Sequence, residues 1–127
     1  MQTTGKERIL IVDDENSIIE IVREVLEKQN YHVFAASHGH EAILLYRETV
    51  PPIDLVILDL NLPDMNGEDV LDCLGNINPH VKVILSSGHN LAEKANAMVQ
   101  KGVRQFLQKP FRIAELSTKV RDALTSK

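Results

Sequence analysis

At 127 residues, with a formal net charge of -4 and a pI near 5.7, the chain is sized for one domain and lacks the basic surplus of proteins that track nucleic-acid phosphates. Its single cysteine, Cys73, excludes an internal disulfide and suggests a reducing, cytoplasmic setting, and no apolar run approaches the roughly 20 residues of a membrane span. Neither nucleic acid nor membrane is therefore expected to be bound by this segment.

Residues 1–7 are polar and read as a disordered or linker N-terminus, leaving 8–127 as the domain proper. A β-branched run at 9–12 predicts a buried strand that stops at Asp13-Asp14-Glu15-Asn16. Ile18, Ile19, Val22, Val25 and Leu26 recur at helical spacing and predict a helix over 17–28, stopped at Gln29-Asn30. A weaker strand is expected over 33–36 and a helix over 40–48, ended by Pro51-Pro52. The stretch LVILDLNLPDMNG, residues 55–67, is the most informative: its apolar run carries Asp59 near the carboxyl end, then turns at Pro63 and Asn66-Gly67. A helix over 68–76 follows, then a strand over 81–85 that runs into Ser86-Ser87-Gly88. Asn90 is placed to cap a helix over 91–101 with Ala95, Met98 and Val99 inward and Gly102 as its stop. A strand over 104–108 and a helix over 113–124, apolar at 113, 116, 120 and 124, complete the chain.

Five strands alternating with five helices through short connections specify a doubly wound α/β domain, a (βα)5 flavodoxin-like sandwich with a parallel sheet. The first and third strands are continuously apolar while the second and fifth are interrupted by polar residues, which predicts the order 2-1-3-4-5. Ligands of such sheets bind beyond the carboxyl ends of the strands that flank the switch point. Asp13, Asp14, Asp59, Ser87 and Lys109 follow the strands and should therefore converge on one edge. Singly each has an ordinary explanation, as helix cap, turn residue or solvated lysine; together they are hard to explain so. Clustered carboxylates repel unless a cation sits among them, and an oxygen donor set without Cys or His selects a hard ion, best Mg²⁺.

With these residues in place, the chain resembles a receiver domain of two-component response regulators over nearly its whole length. The resemblance rests on Asp13-Asp14, Asp59 with Pro63 and Gly67, Ser87-Gly88, and Lys109-Pro110-Phe111. It implies that Asp59 is the phosphoacceptor, Asp14 a direct Mg²⁺ ligand, Asp13 a ligand through water, and Asn61 a ligand through its backbone carbonyl. It implies further that Ser87 is the switch hydroxyl, Lys109 the phosphate-binding ammonium, and Lys109-Pro110 a cis peptide. Ser87 replaces the commoner threonine, and Phe106 stands where the family often has tyrosine, either as an aromatic switch or as simple core packing. His89, two past Ser87, and Asn61, two past Asp59, would flank the path of hydrolytic water, although a loop histidine is more often plainly solvated.

Such a domain accepts phosphate and assists its own phosphorylation and dephosphorylation, without being an enzyme in its own right. The implied partners are a histidine kinase or histidine phosphotransfer domain docking near the first helix, and a downstream protein meeting the surface of 91–101, 104–108 and 113–124. The SSGHN and FLQKPF wording resembles receivers appended to hybrid sensor kinases more than stand-alone regulators, which would put the chain at the cytoplasmic end of a membrane-bound sensor. Three rivals fare worse. A haloacid-dehalogenase-type phosphatase would need an acid where Asn61 stands, an FMN protein would need a phosphate loop where Asp13-Asp14 would repel it, and a phosphate-independent interaction module has no use for the intact set.

Overall fold

The computed structural model describes residues 7–88 and 98–126. Five parallel strands, β1 (Arg8–Val12), β2 (His32–Ala36), β3 (Leu55–Asp59), β4 (Val83–Ser87) and β5 (Val103–Gln108), form one sheet in the order β2-β1-β3-β4-β5. Among the described residues four α-helices cover it: α1 (Asn16–Lys28), α2 (Gly39–Glu48), α3 (Gly67–Ile77) and α4 (Ile113–Thr125). The expected strand order is the observed one. The cause is burial: every residue of β3 and of β4 is enclosed, whereas the edge strand β2 buries only Ala36 fully.

Alternation along the strands divides the core into two layers. Leu10, Val56, Leu58 and Leu85 face α2 and α3 together with Val70, Leu71 and Leu74, while Ile9, Ile11, Ile57 and Ile84 face α1 and α4 together with Leu26, Leu116 and Val120. The end of α1 shows how local chemistry fixes the path. Asn30 takes a left-handed φ of 71°, its N–H and that of Tyr31 bond the carbonyls of Glu27 and Leu26 at 3.0 and 3.1 Å, and buried Tyr31 packs back into the Leu26 layer. The chain is thereby turned straight into β2.

Several expectations need correction. Val99, expected to point inward, is 51% exposed because it opens a 3₁₀ turn, Val99–Lys101, and Ile113, apolar at the spacing of its helix, is 59% exposed while the buried stripe of α4 runs through Leu116, Val120 and Ala123. Of the helix expected over 91–101 the structure describes Met98, helical and buried as expected, and that turn, which Gly102 ends at φ 99° as anticipated. Cys73, expected as an unpaired cysteine to be a small packed hydrophobe, is only partly buried. The strands bearing Asp59 and Ser87 end on those residues, one before and two after the expected limits. Residues 1–6, His89, Asn90 and Ala95 lie outside the described residues.

Candidate functional site

The carboxyl ends of β1, β3 and β5 bring the acidic residues and the lysine together. Val12 pairs with Leu58 across the β1–β3 ladder, so Asp13 and Asp59, each one residue on, emerge side by side. Oxygens of Asp13, Asp14 and Asp59 all lie within 4.8 Å of one another. Asp13 and Asp59 are almost wholly buried, at 1% and 4% exposure, while Asp14 is open to solvent. The Lys109 ammonium, delivered from the end of β5, lies 2.7 Å from Asp13 Oδ2, 3.3 Å from Asp59 Oδ2 and 3.8 Å from Glu15 Oε1.

Each carboxylate oxygen has a separate task. Asp59 Oδ1 accepts the backbone N–H of Asn61 at 3.1 Å, leaving Oδ2 to Lys109. Asp13 Oδ1 accepts the N–H of Glu15 at 2.9 Å, a local turn bond that uses one oxygen only, and α1, which starts after Glu15, has no side-chain cap. Burial pushes the Asp59 carboxyl above its usual range, opposed by the Asn61 N–H, reinforced by the Asp13 charge and opposed again by Lys109. Burial also works against the Lys109 ammonium, yet Asp13 and Asp59 outweigh it and hold its pKa above the usual value. The site thus carries more negative charge than one lysine offsets. A divalent cation on the oxygen side is the chemistry such a donor set accepts, since hard oxygens suit Mg²⁺ and no softer ligand is among them.

A cleft of roughly 670 Å³ opens over this nest, lined by Asp14, Glu15, Asp59, Asn61, Gly88, Lys109 and Pro110 among others. The Lys109-Pro110 peptide is cis, as the resemblance implied; Val50-Pro51 is cis as well, with no sequence signal to separate it from other X-Pro bonds. Ser87 is buried at the last position of β4 and does not line the cleft; its carbonyl accepts the Lys109 N–H at 2.9 Å, which fixes the two residues as neighbours. Phe106 is half-buried against the layer beneath α2 and α3, and its carbonyl accepts from the Lys119 ammonium. His89 lies outside the described residues. Sequence reasoning assigned no role to Glu15, although its place after the aspartate pair was a usable signal, nor to Asp64, whose partners stand on another helix and leave no local trace.

A family model described as the response regulator receiver domain matches residues 9–121. The chemotaxis protein CheY of Thermotoga maritima is 32% identical over 117 residues, covering 89% of this chain and 96% of that protein. The two-component response regulator ARR10 of Arabidopsis thaliana is 35% identical over 109 residues, but there the match spans only 20% of the relative's length. A solved structure titled as a CheX-CheY-BeF3-Mg complex from Borrelia burgdorferi superposes with a TM-score of 0.88 at 25% identity, covering 94% of this chain and 90% of that one.

Proposed function

The chain belongs to the response regulator receiver domains, and from that premise we propose that it takes a phosphoryl group from phosphohistidine onto Asp59 and signals by the rearrangement that follows. The observation that carries the proposal is the nest of Asp13, Asp14 and Asp59 within 4.8 Å, with Lys109 bonded to two of them. Asp14, Asp59 and the Asn61 carbonyl would hold Mg²⁺ directly and Asp13 through water. When bound, the ion screens the carboxylates and draws charge from the phosphoryl oxygens.

The chain's own residues supply the rest. Asp59 Oδ2, the oxygen now facing Lys109, attacks phosphorus as the P–N bond of the donor breaks, and the leaving imidazole keeps that electron pair and takes up a proton. Lys109 moves from carboxylate to phosphoryl oxygen, a short step for an ammonium already 3.3 Å from Asp59. The product carries roughly one more negative charge than the carboxylate. Ser87 then turns its hydroxyl to the phosphoryl group, and Phe106, on the neighbouring strand, follows into the space released. Asn61, which lines the cleft, borders the route of hydrolytic water; the same role expected of His89 falls outside the described residues.

The donor is a histidine kinase or histidine phosphotransfer domain. A groove of roughly 500 Å³ between α1 and the start of α4, lined by Ile21, Val25, Phe111 and Ile113 with Glu24, Lys28 and Gln29 beside them, offers it a seat with an apolar floor and a polar rim. The output partner is a protein meeting the surface of β5 and α4, with the expected contribution of 91–97 falling outside the described residues. The loop wording of the chain favours a receiver carried by a hybrid sensor kinase on the cytoplasmic side, with a stand-alone regulator as the alternative. The test is mass spectrometry after incubation with Mg²⁺ and a phosphorylated donor: one phosphate should add to the wild type and none to Asp59→Asn. Phosphate on the variant would remove Asp59 from the scheme.

A further inference from the structure

Loop 60–67, between β3 and α3, is pinned at both ends. At its base the Gly67 N–H bonds the Leu60 carbonyl at 2.9 Å and Asn61 bridges to Asn66. At its far side Asp64 reaches to α2, where Oδ1 accepts the Gly39 N–H at 2.7 Å and Oδ2 accepts the His40 N–H at 3.0 Å, with His40 Nδ1 at 2.5 Å. Helix starts leave their first N–H groups without intrahelical partners, and the residue that should serve here, His38, makes no side-chain cap bond. Contact at this point is close because Gly39 has no side chain: a Cβ there would sit 2.8 Å from Met65 Sδ and 2.9 Å from Val70 Cγ2.

We propose that Asp64 is a positioning residue for the phosphoacceptor site, capping α2 across the fold and so holding the loop that sets the Asn61 backbone over Asp59. The Asn61 N–H lies on Asp59 Oδ1, and the same peptide segment aims the Asn61 carbonyl; neither is fixed by a strand, since β3 has ended. Pinning the loop to α2 removes the freedom that would otherwise blur both. The magnesium part of this proposal rests on the function proposed above, whereas the backbone part is independent of it.

The test compares Asp64→Ala with Glu41→Ala by amide NMR and Mg²⁺ titration. Glu41, on the same end of α2, accepts the Ser37 N–H at 2.8 Å ahead of the helix, so its loss removes one carboxylate while leaving the Asp64 bonds to Gly39 and His40 in place. In metal-free protein, Asp64→Ala should shift the Asn61 amide resonance and speed its hydrogen exchange, and Mg²⁺ affinity should fall about tenfold, as for lost supporting contacts around metal ligands. Asp64→Asn, which keeps an oxygen acceptor, should restore most of both, and His40→Ala should shift Asn61 the same way by less if Asp64→Ala proves too unstable to study. Glu41→Ala should leave both readouts at wild-type values. An unmoved Asn61 amide in Asp64→Ala or His40→Ala, or an equal change in Glu41→Ala, overturns the proposal. Wild-type protein that neither bound Mg²⁺ nor accepted phosphate would sink the phosphoryl function instead, with the metal-free comparison still deciding the role of Asp64.

Discussion

The Lys109 ammonium stands 2.7 Å from the Asp13 carboxylate, a closer approach than its 3.3 Å to Asp59. The lysine is therefore anchored on Asp13 and reaches across to Asp59, the phosphoacceptor proposed above. That asymmetry would keep the ammonium in the cleft if Asp59 became an acyl phosphate.

Removing that ammonium leaves two buried carboxylates without their cation. Lys109→Met is expected to lose about 3 kcal/mol at neutral pH, the usual result of deleting one partner of an enclosed ion pair. Urea denaturation with and without Mg²⁺ checks it: most of the loss should be recovered with the metal present, since the ion replaces the missing charge. A variant equally unstable in both conditions would mean that Lys109 acts through packing alone.

The raised pKa of Asp59 has a definite sign in stability. A carboxyl whose folded pKa lies above its unfolded value favours folding most below the unfolded value, about 3.8 to 3.9, and that contribution is lost as pH rises through the folded pKa. In chelator at pH 7.5, Asp59→Asn should thus melt higher than wild type, and the difference should vanish toward pH 3. Adding Mg²⁺ at 100 times its dissociation constant should raise wild-type stability by about 2.7 kcal/mol, and the variant much less. A variant that melts lower than wild type in chelator would show that Lys109 and Asn61 outweigh desolvation.

Three glycines separate backbone necessity from convenience. A Cβ at Gly67 would stand 2.6 Å from Leu60 Cα, and one at Gly102, whose φ is 99°, would stand 2.5 Å from the Val81 carbonyl. Gly67→Ala and Gly102→Ala should each lose roughly 2 to 3 kcal/mol. Gly75 lies within α3 with no atom within 4 Å of its would-be Cβ, so Gly75→Ala should gain about 0.8 kcal/mol. Denaturant midpoints at unchanged slope are the measurement.

The groove between α1 and the start of α4 yields a prediction about the donor. Ile113 is 59% exposed at the start of α4, so Ile113→Asp should cost little stability. Transfer from a phosphohistidine protein should slow at least tenfold, as expected when a central apolar contact worth about 1.4 kcal/mol or more is lost. Labelling by a small-molecule phosphodonor should be unchanged. Equal slowing with both donors would locate the defect in the cleft and not at a docking surface.

How the sequence encoded the molecule follows from which interactions are periodic. Strand order was legible because burial on both faces of β1 and β3 writes a continuous apolar run, and the main site was legible because strand ends share an edge, which gathers Asp13, Asp59 and Lys109 by topology alone. Side-chain direction near helix ends was not legible: Ile113 fits the spacing of its helix, yet at its first position it is 59% exposed.

By itself the sequence determined the class of sheet, the order of its strands and the acidic edge, since each depends on patterns repeated within one segment or on the rule that parallel strands end together. Only the tertiary structure decided that Lys109 anchors on Asp13, that Glu15 joins the cleft and that Asp64 caps a helix begun 25 residues earlier. Those are single contacts between distant segments, set by how far a loop must reach once the layers have packed, and a lone polar residue in a loop carries no period from which its partner could be read.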